Sequence, residues 1–303
     1  MDSPRPPAPT ATRHHVRIHT AKALLDASLG ADDVPAGFAP LWFHTHRIGA
    51  VHPQWIQRLD PHLFGLERQA GHTHVRMQAT DRRAGREPSS PDAFNHRLQG
   101  WAARLNADGQ LPGWRNEVVT IFGPQADAPL FRVERALLRP LGLLLRTVQV
   151  NVFTWDASAG LQLWAARRAA HKAVDPGLLD SLVAGGMAGD ETPLETLLRE
   201  AAEEAGLPLS LSRRALPSGI MDSSAVEHDG VAPVLNRERM HVFDLQVPAT
   251  FIPSFPDGET EEAMRLSPTQ IIEQIKAGQW TREGAWACLN LIQRARAGKL
   301  RHR

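Results

Sequence analysis

The sequence predicts an α+β protein built from two units in tandem. Three observations carry this. At 303 residues the chain has the length of about two ordinary domains. Both halves mix strand patterns with segments of helical spacing. The composition also shifts near residue 144, where apolar strand-like runs take over from mixed and polar sequence. We therefore expect a lead-in over 1–17, a first α+β unit over 18–143 and a second unit over 144–303.

Residues 1–17 are rich in Pro and Thr, with Pro4, Pro6, Pro7 and Pro9 close together. Such a composition cannot bury a core and reads as disordered. Order is expected from the stretch AKALLDASLG onward. FAPLWFHTHRIGAVHP reads as a strand followed by a turn at His52-Pro53. Residues 54–65 and 92–106 have helical spacing, the second opened by Pro91 with Ser90 as its cap. The polar QATDRRAGREPSSP between them reads as a loop. NEVVTIFG then reads as a strand, and PLFRVERALLRPLG as a helix ended by Pro140.

In the second unit TVQVNVFTWD and LQLWAARRA are strands joined by a turn at Ala157–Gly160. Residues 185–207 form a loop and a helix. RERMHVFDLQVP is a further strand closed by Pro248. SPTQIIEQIKAG and TREGAWACLNLIQRARAG are helices. Ser267, Pro268 and Gln270 supply the first of them with a cap, a first-turn proline and a capping-box partner.

Charge narrows the function. With 34 Lys plus Arg against 33 Asp plus Glu, the net charge of +1 gives no reason to expect a nucleic acid or an anionic membrane as partner. No run of about 18 apolar residues spans a bilayer, and the first twenty residues lack the apolar middle of a secretory signal. The single cysteine, Cys288, excludes an internal disulfide framework and a Cys-rich zinc site. A reducing, cytoplasmic setting follows; a homodimer is left open.

One segment decides the chemistry. GGMAGDETPLETLLREAAEEAGL fits G-x5-E-x7-R-E-U-x-E-E-x-G-U, with U aliphatic, through Gly185, Glu191, Arg199, Glu200, Ala201, Glu203, Glu204, Gly206 and Leu207. Its seven fixed residues should coincide by chance about once in a million chains of this size. Thr192 is placed to cap the helix, Pro193 to open it, Glu195 to close a capping box and Gly206 to end it. At 100° per residue Glu200, Glu203 and Glu204 share an arc of about 100°. Leu194, Leu197, Leu198, Ala201 and Ala205 cover the other side, the expected buried face. Like charges at this spacing cost about 0.2–0.5 kcal/mol per pair. A bound cation turns that penalty into a site, and oxygen-only ligands favour Mg²⁺ or Mn²⁺ over zinc.

This segment resembles the Nudix box, and the chain is identified here as similar to the Nudix hydrolases. Ala201 stands where a larger aliphatic is usual. The resemblance implies an α/β/α sandwich with a mixed sheet for the second unit, and hydrolysis of a diphosphate linkage by water. It implies that Glu200, Glu203, Glu204 and the Gly185 carbonyl hold metal, while Glu191 and Arg199 hold the loop against the helix. It further implies a carboxylate on a later loop as base or extra ligand, for which DGETEEA offers Glu259 or Glu261.

The flanks WAARRAAHKAVDPGLLDSLVAGG, GWRNE and DGETEEAMRL resemble one subgroup, over about residues 38 to 298. It comprises Nudix proteins with an extra N-terminal domain, related to the Nudix half of fungal thiamin pyrophosphokinase fusions and to some plant enzymes. The activity implied is conversion of thiamin diphosphate, with its oxothiamin and oxythiamin forms preferred, to monophosphates. Two departures concern substrate preference: TVQVNVF stands where G-x-H-x-N-G-Y is usual, and Thr281-Arg282-Glu283 where Lys-Pro-Asn is usual. ADP-ribose or another nucleoside diphosphate derivative is the alternative substrate, and an inactive Nudix-fold binding protein the alternative class.

Arg167 and Lys172, in a basic run with Arg168, are the expected phosphate contacts, since guanidinium groups bind phosphate through two donors. Trp114, Trp155 and Trp164 are candidates to stack on a ring. With so short a gap between Pro140 and Val148, the first unit is expected to pack on the second and to bring Trp114 or Arg115 to the pocket. The His44/His46 and His72/His74 pairs lack further ligands and read as packing, and Cys288 as a core thiol.

Overall fold

In the computed structural model the described residues are 33–78, 90–123, 129–156, 158–172, 175–255 and 258–300. The expected lead-in, the AKALLDASLG stretch and most of the 78–91 loop lie outside them.

The first part holds β1 (Ala39–Phe43), β2 (His46–Val51), α1 (Pro53–Ile56), β3 (Phe64–Gln69), β4 (His72–Met77) and α2 (Pro91–Ala107). The sheet order is β2-β1-β4-β3, with β1 and β4 parallel and the other pairs antiparallel. FAPLWFHTHRIGAVHP is therefore a hairpin and not one strand. The chain reverses at His44, which adopts φ 52°, so that Leu41, Phe43, Ile48 and Val51 all reach one core. The helix expected over 54–65 stops at Ile56. Pro61 disfavours helical geometry at Asp60, whose carboxylate instead accepts from the His62 N–H at 2.8 Å. The β3–β4 hairpin that follows has no counterpart in the sequence reading.

Helix α2 forms as expected, with Ser90 Oγ accepting from the Ala93 N–H. Its Phe94 and Leu98 enter the core, where Phe43, Phe94 and Phe131 pack with ring centroids 4.9–5.8 Å apart. β5 (Val118–Phe122) pairs with β6 (Pro129–Glu134). PLFRVE is thus a strand where a helix was expected: Phe131 and Val133 are buried and Arg132 is exposed, a two-residue period. Only a 3₁₀ turn (Arg135–Leu137) and α3 (Leu138–Leu141) are helical, and α3 ends at Gly142, φ 59°, not at Pro140. Pro140 sits in a first turn, where its missing N–H costs nothing.

The second part is one mixed sheet. The order is β11 (Leu216–His228), β12 (Pro233–Gln246), β7 (Leu144–Asp156), β8 (Gly160–Arg168), β13 (Thr260–Leu266). β10 (Val183–Gly186) pairs with β7 and β9 (Leu179–Ser181) with β8; β12 and β7 are parallel. Alternation along β7 splits the layers. Val148, Val150 and Val152 pack on α4 (Pro193–Ala205) through Leu197, Ala201 and Ala205. Phe153 on the opposite side joins α6 (Pro268–Lys276) and α7 (Arg282–Arg296), where Cys288 is buried. Between α4 and β11 lies the short α5 (Leu209–Ser212). The sandwich matches the expectation, although β11 and β13 were not foreseen as strands.

The two parts share contacts. Ala232 and Val234 complete the first core. Arg237 donates to the carbonyls of Ile48 and Gly142 at 3.2 and 3.3 Å, and Thr120 donates to Asp190 at 2.9 Å. No helix among the described residues is long and apolar enough to cross a membrane.

Candidate active site

The loop before α4 and the helix itself form one rigid piece. Thr192 and Glu195 make the reciprocal capping box, and Gly206 ends the helix at φ 59°. Arg199 binds Glu191 through two bonds of 2.8 Å, from Nε to Oε1 and from Nη2 to Oε2. Its Nη2 also reaches the Gly186 carbonyl at 3.1 Å. Glu191 in turn accepts from the Ala188 N–H and the Thr196 hydroxyl. These bonds, Arg199 foremost, hold the Glu191 carboxyl down at about 2. The same anchoring corrects the expected buried face: Leu194 is 46% exposed. The buried stripe rotates toward Thr196, whose hydroxyl is bonded to Glu191.

Gly185, Glu200 and Glu204 come together. A Cβ built on Gly185 would lie 2.0 Å from Glu200 Oε1, so the strand leaves only the volume of a glycine beside that carboxylate. Glu204 Oε2 accepts from the Ala184 N–H at 2.8 Å. Burial pushes the Glu204 carboxyl well above its ordinary range, and burial also raises Glu200, against the pull of Arg199. Glu203 is more exposed and meets Arg199 Nη1 at 3.2 Å. Among the described residues no three His, Cys, Asp or Glu side chains are grouped so as to hold a metal ion, and Arg199 is paired with both Glu200 and Glu203. Oxygen-only donors, two of them desolvated and one beside a glycine cradle, nevertheless fit a hard divalent cation.

The other expected residues separate. Glu259 is hydrogen-bonded to Lys172. Burial works to raise the Glu259 carboxyl, but Lys172, Arg115 and Arg168 outweigh it and hold it low. The Lys172 charge is also felt at Glu204. Glu261 and Glu262 stand on β13 and not on a loop. Glu261 accepts from the Ala170 N–H at 2.8 Å, and Glu262 binds Arg167 at 2.6 Å. Arg167, expected at phosphate, is thereby occupied on one face of β8, while its neighbour Arg168 lines the cavity. Adjacent strand residues face opposite ways.

That cavity, of about 160 Å³, lies where the first part meets the β7 side of the sheet. Arg115 lines it and Trp114 does not; that indole packs on the first core. Trp164 packs on Phe251, and Trp155 is 53% exposed and also off the cavity. The sequence reading missed Arg135, Arg139, Gln149, Asp180, Glu238 and Glu283 as cavity residues. Asp180 is buried and binds Arg168 at 3.2 Å. Gln149 belongs to TVQVNVF, the segment that departs from the subgroup motif, and its Nε2 donates to Asp180 at 3.3 Å. His74 accepts from Trp42 Nε1 and stacks on its ring, a packing role.

The site is thus a glutamate-bearing helix strapped by an arginine to its preceding glycine loop, on a mixed sheet between helices. Residues 145–284 match the NUDIX domain family model. Nudix hydrolase 24, chloroplastic, of Arabidopsis thaliana is 27% identical over 241 residues, covering 78% of this chain and 62% of that one. Nudix hydrolase 20, chloroplastic, of the same plant is 30% identical over 57% of this chain and 45% of that one. The first alignment is longer than the Nudix domain and so takes in sequence before it. The chain spans roughly half to three fifths of the length of these relatives. Among solved structures, DR0079 of Deinococcus radiodurans is 25% identical with TM-score 0.40, over 57% of this chain and 97% of that one.

Proposed function

We propose that the chain is a divalent-metal-dependent pyrophosphohydrolase, composed of units 18–143 and 144–303, that converts thiamin diphosphate derivatives to monophosphates in the cytoplasm. The observation that supports it most is the approach of Glu200 to Gly185 beside the buried Glu204. Glu200, Glu203, Glu204 and the Gly185 carbonyl are the groups to hold Mg²⁺, with Mn²⁺ as a substitute. Bound there, the ion would draw charge off the phosphate oxygens and lower the pKa of water. The chain's own groups do the rest. Arg199 and Glu191 fix the loop so that the carboxylates keep their places. Arg115 and Arg168 face the cavity as donors to phosphate. Glu259, held ionised by Lys172, is the better placed of the two expected bases, since Lys172 links it electrostatically to Glu204. Glu261, bonded to a backbone N–H, serves the fold.

The flanking resemblance supports the thiamin assignment, and the alignment with the first plant relative is longer than the Nudix match, as a chain with sequence ahead of that domain requires. The experiment is a panel of diphosphates with Mg²⁺, scored for monophosphate and phosphate release. Oxythiamin or oxothiamin diphosphate should give a higher kcat/KM than ADP-ribose or any nucleoside triphosphate. Preference for ADP-ribose would replace the thiamin assignment, and no turnover on any member would overturn the enzyme reading.

A further inference from the structure

The loop that joins β10 to α4, residues 187–192, is held from two sides. From the sandwich side, Arg199 binds Glu191 and the Gly186 carbonyl, and the Met187 N–H donates to the Arg146 carbonyl of β7 at 2.9 Å. From the other side the loop meets the β5–β6 hairpin, which precedes β7 in the chain. Gly189 forms a parallel bridge with Val119 of β5. Asp190 accepts from the Thr120 hydroxyl at 2.9 Å and, with its second oxygen, from the Arg132 guanidinium. One carboxylate of the loop thus engages both strands of the hairpin. A Cβ built on Gly186 would lie 3.0 Å from Arg135 Nη2, and two bonds of 2.9 Å to Glu117 fix that guanidinium.

The hairpin is a firm support. Val119, Ile121, Phe131 and Val133 are buried in the first core, and the Arg132 N–H donates to Asn95 of α2 at 2.8 Å. The Arg146 guanidinium lies 4.6 Å from the centre of the Phe122 ring, so β5 also rests on the strand that holds Met187. Gly189 has φ 50°, a conformation that glycine adopts without strain. In the pattern G-x5-E-x7-R-E-U-x-E-E-x-G-U, Gly189 and Asp190 occupy free positions. The fixed residue Glu191 binds α4, and these two free residues bind the hairpin.

We propose that the β5–β6 hairpin clamps this loop, and that Asp190 is the positioning residue through which it does so. For its consequence the inference rests on the metal reading above. A loop free to swing would carry the Gly185 carbonyl and the Glu191–Arg199 pair out of place, and a metal site loses affinity when the groups that orient its ligands are lost. Asp190 itself is not one of those ligands. Its side chain is 59% exposed, so removing it leaves no hole in a core, and an exposed ion pair contributes little to global stability. The segments before β7 thereby act on the metal site through the loop, without supplying a ligand.

The test uses the full chain and Asp190→Ala, with the double variant Thr120→Val, Arg132→Ala cutting the same bonds from the hairpin side. Hydrogen exchange read by mass spectrometry on peptides covering 185–192 reports the loop, and calorimetric titration with Mn²⁺ reports the site. In both variants exchange in that segment should be at least roughly tenfold faster, with α7 unchanged. Mn²⁺ should bind about tenfold more weakly. Asp190→Asn, which keeps an acceptor for Thr120, should fall between parent and Asp190→Ala. Unchanged loop exchange in both variants overturns the inference. Exchange that quickens equally along the whole chain does so too, since it assigns the effect to global stability. Faster loop exchange with unchanged Mn²⁺ affinity overturns the positioning role. A parent chain that binds no Mn²⁺ sinks the metal reading instead, and the clamp is then judged on loop exchange alone.

Discussion

Gly185 and Glu200 stand so close that a methyl group on the glycine would fall 2.0 Å from the glutamate Oε1. The strand and the helix of the box therefore meet through a residue with no side chain. Gly185→Ala should displace the Glu200 carboxylate or push β10 off α4. The expected cost is about 1–3 kcal/mol of stability, together with a weaker Mg²⁺ dependence of the rate. Chemical unfolding and a metal titration of activity measure the two. Unchanged values in both would mean that the carboxylate is not confined there.

Glu204 presents the clearest catalytic test. Glu204→Gln keeps the shape and an acceptor for the Ala184 N–H, which the carboxylate now binds at 2.8 Å. It removes the charge. We expect kcat to fall by at least about 100-fold with little change in unfolding temperature. Near-normal turnover of the purified variant would refute the metal assignment.

The Arg199–Glu191 strap predicts a pH-dependent stability. Glu191 has its carboxyl lowered from 4.5 to about 2, first of all by Arg199. A lowered acid contributes stability that is present above 4.5 and lost as pH falls toward 2. Arg199→Ala should therefore cost about 1–2 kcal/mol at pH 7, allowing for water's access to the pair, and less at pH 3. Urea unfolding at the two pH values reads this; an equal cost at both would assign the loss to packing.

Glu238 shows the opposite sign. Burial and Glu283 raise its carboxyl from 4.5 to about 7, against Arg139 and Arg282. The folded state then holds a proton that the unfolded chain has released. This stabilisation is full below 4.5 and is lost as pH rises through 7. Glu238→Gln should thus be more stable than the parent at pH 8, by at most about 3 kcal/mol, and close to it at pH 4.5. The same advantage at both pH values would remove ionisation as its cause.

Trp114 and Arg115 are neighbours with different duties. Trp114 packs on the first core, whereas Arg115 lines the cavity. Arg115→Ala should raise KM for the best substrate and leave the unfolding temperature in place. Trp114→Ala should lower that temperature and, in the folded fraction, leave KM alone. The reverse pattern would exchange the two assignments.

The sequence by itself determined the box, because every part of it is local. A cap, a first-turn proline, a helical period and a terminal glycine all act within a few residues, and they place Glu200, Glu203, Glu204 and the Arg199–Glu191 strap on one short segment. The last two helices were legible for the same reason. Tertiary structure decided the rest. The hairpin at His44, the strand in place of a helix at PLFRVE, and β11 and β13 depend on partners far along the chain. A short strand has no hydrogen bonds of its own to announce it. It likewise decided that Arg168 and not Arg167 faces the cavity, and that Arg115 and Glu238 share it. Such convergence comes from how the segments before β7 pack on the sheet, and no spacing along the chain encodes it.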